Sequence, residues 1–195
     1  MRHGIRGRIT IIKNGKKMVD KPIHSFVRNA HSFIGDLVGG CGTTGRTAGS
    51  LAWVKYDLKD VDGIIQTPQA RFDPANFNRF AFAGNFFNKI SVGTSTVAWT
   101  YDDFKLDQPY KDADAYSIKA QTTNATTKNS LQGLFHFTED KIIGETGLFG
   151  IWAVWTDPYD LIHQINFLVS RDVLAPPIEV VAGDTIAVIY TIEVS

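Results

Sequence analysis

A single cysteine, Cys41, stands in 195 residues, which excludes an internal disulfide and a cysteine-rich zinc site. No stretch reaches the roughly 18 consecutive apolar residues that span a bilayer, so no membrane partner is expected. The basic start MRHGIRGR runs into no apolar h-region, so no signal peptide is expected. No Gly-x-Ser-x-Gly elbow is present, and with it goes the nucleophile of the α/β-hydrolase type. Net charge is absent too, with 20 Lys/Arg against 20 Asp/Glu. The balance hides a split: residues 1–60 hold 11 Lys/Arg against 4 Asp/Glu, and residues 61–195 hold 9 against 16. Ends of opposite sign suit docking between copies or onto a charged neighbour. For the basic end the alternatives are nucleic acid and a plain solvated face, the second being the commoner.

What is present is apolar and aromatic: 44% hydrophobic and 12% aromatic residues, enough for one folded domain with a core. From Thr185 to Val194, Ile186, Val188, Tyr190, Ile192 and Val194 share one face, the period-two signature of a strand with one buried side. At the other end, Arg8–Lys13 and Lys16–Val19 flank Asn14-Gly15, the favoured type I′ hairpin turn, and Pro22 is expected to end it. Ser25 then reads as the cap of a helix over 25–38, whose Phe26, Ala30, Phe33, Ile34, Leu37 and Val38 form one stripe. Gly39-Gly40 stops it and opens a polar loop. After a short strand over 51–56, six phenylalanines (Phe72, Phe77, Phe80, Phe82, Phe86, Phe87) crowd without a regular period, which reads as core or as a subunit contact. Further strands are expected at 89–92, 116–122, 130–137, 149–155, 161–170 and 185–194, punctuated at Gly144–Gly147 and Asp157-Pro158, with a connector interrupted by Pro176-Pro177 before the last strand. The architecture expected is a single, mainly β domain over 1–195: an antiparallel β-sandwich, jelly-roll-like, with one N-terminal helix. Residues 1–24 supply an arm and hairpin, and 90–195 the core strands.

The chemistry-bearing patterns each have a plainer reading. Gly40–Thr47 resembles a phosphate loop with Arg46 in place of lysine, but the helix precedes it and a strand follows, the reverse of what that motif needs. Cys41 has only Arg46 nearby to lower its pKa. His3, His24, His31, His136 and His163 show no metal-ligand spacing, so neither metal nor cofactor is expected. Asp102-Asp103 and Asp157/Asp160 fit an acid–base pair for sugar hydrolysis, though turn-forming aspartates are commoner. Trp53, Trp99, Trp152 and Trp155, with Tyr101 and Tyr110, fit a sugar-stacking platform or, more ordinarily, core packing.

Two segments carry a family resemblance. Ile90-Ser-Val-Gly-Thr94 leads into the acidic turn Tyr101–Tyr110, and Glu145-Thr-Gly-Leu-Phe149 is followed by Phe167–Val173, Pro176-Pro177 and Val181-Ala-Gly-Asp-Thr185. Together they resemble small structural, tail or fibre-like virion proteins of tailed phages and related viruses, over about residues 90–195. The resemblance implies a non-enzymatic component of the capsid or tail apparatus, located in the virion, with itself and other virion proteins as partners. Repetition around a ring or shell requires a self-complementary or head-to-tail surface. The residues expected to supply it are Arg2, Arg6 and Arg8 of the N-terminal arm, and Phe77, Phe80, Phe86 and Phe87. The rivals are a host-surface or glycan-binding module, using the aromatics and the loops at 94–111 and 124–129, and a small glycoside-cleaving enzyme using Asp102 or Asp103.

Overall fold

The computed structural model describes residues 5–23, 25–30, 53–55, 58–66, 69–71, 87–123, 127–155 and 162–194. Thirteen strands lie within them: β1 (Ile5–Lys13), β2 (Lys16–Ile23), β3 (Trp53–Lys55), β4 (Leu58–Lys59), β5 (Ile65–Gln66), β6 (Gln69–Arg71), β7 (Phe87–Gly93), β8 (Pro109–Asp114), β9 (Tyr116–Thr122), β10 (Thr127–His136), β11 (Lys141–Trp155), β12 (Ile162–Val180) and β13 (Thr185–Val194). They form a five-stranded sheet, β2-β1-β13-β10-β9, and a four-stranded sheet, β12-β11-β7-β8, with two short pairs, β3-β6 and β4-β5. All the pairings are antiparallel.

The protein is an antiparallel β-sandwich, as the alternation of apolar residues predicts. Ile9 and Ile11 of β1, Leu131 and Phe135 of β10, and Ile186, Val188 and Tyr190 of β13 point inward from the larger sheet. Ile90 and Val92 of β7, Leu148 of β11 and Phe167 and Ile178 of β12 meet them from the smaller one. Gly133 marks how close the layers come, since a Cβ there would lie 3.0 Å from the Ile90 side chain. The chain passes between sheets at Ala115, at residues 137–140 and at residues 181–184.

The closing strand is central, with β1 on one side and β10 on the other. Its turn is locked to the N-terminal hairpin turn. Asn14 (φ 48°) and Gly15 (φ 80°) adopt the left-handed conformations that a type I′ turn requires. The Asn14 amide donates to Asp184 at 2.6 Å, Thr185 N–H donates to Asn14 Oδ1 at 2.9 Å, and Lys13 Nζ pairs with Asp184 at 2.8 Å. Lys13, the Val181 N–H and Asn14 together pull the Asp184 carboxyl down to about 2.

Four expectations need correction. Pro22 does not end the hairpin; it lies within β2 opposite Arg8, tolerated because β2 is an edge strand and needs no outward donor. Ser25 is not a helix cap: Phe26 bridges to Ser170, and the helical turn begins at Arg28. Residues 31–38 of the expected helix lie outside the described residues. Gly144–Gly147 does not break a strand, and β11 runs through it from Lys141 to Trp155. Likewise β12 continues past Pro176-Pro177 to Val180, on the edge of its sheet.

Candidate functional site

The outer face of the four-stranded sheet is covered. Phe149 of β11 and Leu168 of β12 point away from the main core and are buried by Val27, Leu106 and Val61. Leu106 belongs to the connection 94–108, whose ends meet through Thr94 N–H donating to Gln108 O at 3.0 Å. A loop with joined ends and its own buried side chain is a compact Ω-type unit. The turn 60–64 covers Val61's part of the face. Asp60 Oδ1 accepts from the Asp62 and Ile64 amides, and Asn29 holds Lys59 through both its N–H and its C=O.

Under this coat lies the best-built polar constellation among the described residues. Arg171 is on β12 and Glu145 on the paired strand β11, both on the outer face. Arg171 Nε donates to Glu145 Oε2 at 2.6 Å, Nη1 to Asp103 Oδ2 at 2.8 Å and Nη2 to the Val97 carbonyl at 3.1 Å. Glu145 also accepts from the Gln108 amide at 2.7 Å and the Asp107 amide at 3.2 Å. Asp103 further accepts from the Thr100 amide and hydroxyl, at 2.9 and 2.7 Å. The Glu145 side chain is fully buried and that of Arg171 is 3% exposed. Buried charges persist only with such a complete set of partners.

The electrostatics follow from the geometry. Burial works to raise the Asp103 carboxyl, but the Arg171 guanidinium and the Thr100 donors outweigh it, leaving Asp103 below the ordinary carboxylate value. For Arg171 burial acts to lower, and the bonds to Asp103 and Glu145 outweigh that. A carboxylate held ionised with its lone pairs engaged is poorly suited to give or take a proton at neutral pH. The constellation is therefore a clamp that fastens the 94–108 loop to the sheet. Glycines make room for it: a Cβ on Gly144 would run into the Ser95 backbone, and one on Gly93 would meet Gln108 O at 2.5 Å.

On the inner face of the same strands is a second, uncharged-partner cluster. Asp172 Oδ2 accepts from Ser170 Oγ at 2.9 Å and from the Tyr190 hydroxyl at 3.4 Å. Tyr190 also reaches Thr146 Oγ1 at 3.4 Å, and Thr146 donates to the Ser91 carbonyl at 3.0 Å. Burial raises the Asp172 carboxyl, while Ser25, Ser170, Lys21 and Tyr190 work against the rise. Burial, then the Asp172 charge, lifts the Tyr190 phenol well above its usual value.

The residues expected from the sequence are placed as follows. Asp102 is exposed and pairs with Arg28 at 2.6 Å, whereas Asp103 turns inward to Arg171, so the two do not form an acid–base pair. Arg6 and Arg8 are not in a free arm; they lie in β1, opposite Glu193 and Thr191 of β13, and Arg8 pairs with Asp20. Phe87 is half-buried against the main core rather than on a free surface. Arg2, Phe77, Phe80, Phe86, Cys41, Arg46, the Gly-rich loop and Asp157/Asp160 lie outside the described residues. His136 bonds Thr185 Oγ1 at 3.0 Å, and no cluster of three metal-ligating side chains occurs among the described residues. Tyr110 stacks on Phe137 at 6.2 Å, while Trp99 is half-buried and Tyr101 exposed. Among the described residues no helix is long and apolar enough to cross a membrane.

Glu145 and Arg171 were not singled out by sequence reasoning. The available signal was a charge in the middle of each of two apolar strand runs, of opposite sign, since an interior strand charge needs a partner. No protein-family model, curated protein or solved structure matches this chain.

Proposed function

We propose that this chain is a non-enzymatic structural protein of a virion, working as an oligomer with itself and other virion proteins in the capsid or tail apparatus. One observation carries the reading. The two segments that resemble small phage structural proteins meet in space around one side chain, Arg171, which joins Asp103 of the first segment to Glu145 of the second. Three charged residues of the resemblance, Asp103, Glu145 and Arg171, thus fasten a loop to a sheet. A rigid sandwich with its longest described loop pinned down suits a part that must repeat identically and bear load.

The rival enzyme would use Asp102 or Asp103, and at Asp103 the bond to Arg171 opposes proton exchange. The test is mass spectrometry of purified particles from the source, together with negative-stain images of the isolated protein. Stoichiometric presence in particles, with ring- or shell-like assemblies on the grids, is the expected result. Absence from particles together with micromolar binding on a glycan array would overturn the reading in favour of a host-surface module. Glycoside turnover lost in a folded Asp103→Asn variant would overturn it in favour of the enzyme.

A further inference from the structure

Four strands end the two sheets: β2 and β9 in the larger, β12 and β8 in the smaller. An open edge offers unpaired N–H and C=O groups to any other strand, and folded chains guard such edges with charges, prolines and irregularities. Three edges are guarded. β2 carries Lys16, Lys17, Lys21 and Pro22; β8 carries Pro109, Lys111, Asp112 and Asp114; β12 has Pro176-Pro177 and the Phe26 bridge at Ser170. β9, Tyr-Ser-Ile-Lys-Ala-Gln-Thr, holds one charge, Lys119, and no proline.

All seven β9 residues are exposed. Tyr116 is 59% exposed and Ile118 51%, and Leu134 on the adjoining strand is 44% exposed, so apolar side chains concentrate at this edge. Ile118 is the extra residue of a bulge against β10, which twists the strand and confines any flat added ladder to a few residues. Beside β9 lies a shallow open depression of about 470 Å³, lined by Lys89, Asp112, Ala113, Asp114, Tyr116 and Leu134. Lys89 is paired with Asp112 at 3.0 Å. Among the described residues Asp114, at the end of β8, and Lys119, on β9, have no ion pair, and only the buried corner residue Ala115, where the chain crosses from the smaller sheet to the larger, separates the two strands.

We propose that β9 is a twofold contact with a second copy of this chain, the two β9 strands pairing antiparallel so that Lys119 of each copy reaches Asp114 of the other. Antiparallel pairing reverses the order of a strand. A segment with a carboxylate at one end and an ammonium at the other is therefore complementary to its own copy. The register that sets residue 114 against residue 119 puts Tyr116 against Ser117 and brings no like charges together. One symmetric contact makes two ion pairs at the rim of the depression and buries Tyr116 and Ile118 of both copies, the isologous geometry of a dimer. Other strand partners fit less well: β2 carries three lysines, and its one carboxylate, Asp20, is already paired with Arg8 and Lys17.

The inference rests on the proposed assembly role only in taking a second copy as partner, and its test is separate from particle composition. Sedimentation equilibrium of the full chain is expected to show a monomer–dimer step at or below about 100 µM, the range of a modest homodimer. Asp114→Lys and Lys119→Asp, each placing like charges together, are expected to weaken the step by about tenfold. The double variant, which restores opposite charges, should return to within about threefold of the parent. Asp114→Ala and Lys119→Ala report the same direction more mildly should a reversal disturb folding. A chain that stays monomeric throughout overturns the contact, as does association indifferent to these four single substitutions or not rescued in the double one. Association that persists unchanged would leave the virion reading standing with a different interface.

Discussion

Arg171 and Asp172 are adjacent in sequence and face opposite ways from β12, and their surroundings are opposite too. Arg171 looks outward into a shell of two carboxylates and a carbonyl, which are fixed by β11 and by the 94–108 loop. Asp172 looks inward between the sheets and finds hydroxyl donors: Ser170 and Tyr190. One strand thus holds a fully paired cation on one face and, on the other, a carboxyl that makes no ion pair among the described residues and feels a positive charge only from Lys21. A charge inside a fold is tolerated where rigid elements deliver its counter-charges, and is pushed toward neutrality where burial outweighs the dipoles and charges they deliver.

The sharpest way to break this comparison is at the clamp. Replacing Arg171 with Met leaves Glu145 buried without its cation, and a loss of about 3–5 kcal/mol is expected in urea unfolding. Glu145→Gln leaves the guanidinium with Asp103 alone as its counter-charge and should fall in the same direction. The double variant Glu145→Gln/Arg171→Met removes both charges of the pair, so its loss should be smaller than the sum of the single losses. Additive losses would mean that the two side chains are not energetically coupled, contrary to the 2.6 Å bond between them.

Next in size is the space beneath the loop. A methyl on Gly144 would collide with Ser95 backbone atoms, which cannot swing aside as a flexible side chain does. Gly144→Ala is expected to cost about 1–3 kcal/mol, as overpacking of a tight contact does. The loop should also loosen, read as faster amide exchange at Gln108 and Asp107, whose N–H groups bond Glu145. Unchanged exchange would mean that the glycine is not what lets the loop lie close.

How much of this was legible depends on the range of the interaction. The alternation in Thr185–Val194 and the Asn14-Gly15 turn are local signals, and the strand and hairpin lie where they predict. Pro22 and Pro176-Pro177 misled because proline ends a strand only when its missing N–H is needed by a neighbour, and edge position is not written locally. Gly144 and Gly147 misled for a related reason. They are small because residues far back in the chain, Ser95 and Leu106, press on them. The site divided along the same line. Asp103 was visible as an acidic residue, but its role follows from Arg171, 68 positions away.

The inner cluster gives the smaller effects. Tyr190→Phe removes one donor to Asp172 and the bond to Thr146 without changing the ring, so a loss of about 1 kcal/mol is expected. The size alone would not separate this cluster from any buried hydroxyl, whereas the pH dependence of Asp172→Asn does. The folded Asp172 carboxyl lies above its ordinary value, with burial the first cause, so the folded chain holds this proton more tightly than the unfolded one. Its contribution to stability is complete below the unfolded value of about 3.9 and is lost as pH rises through the folded value. Asparagine does not titrate, so relative to the parent the Asp172→Asn variant should gain stability between about pH 4 and about pH 7. Asp103 and Asp184 are shifted the other way, and their contributions fall away below that window. Urea midpoints of parent and variant at the two pH values decide the matter. A difference that stays constant, or that moves against the variant as pH rises, would show that Asp172 is as well supplied with counter-charge as Arg171.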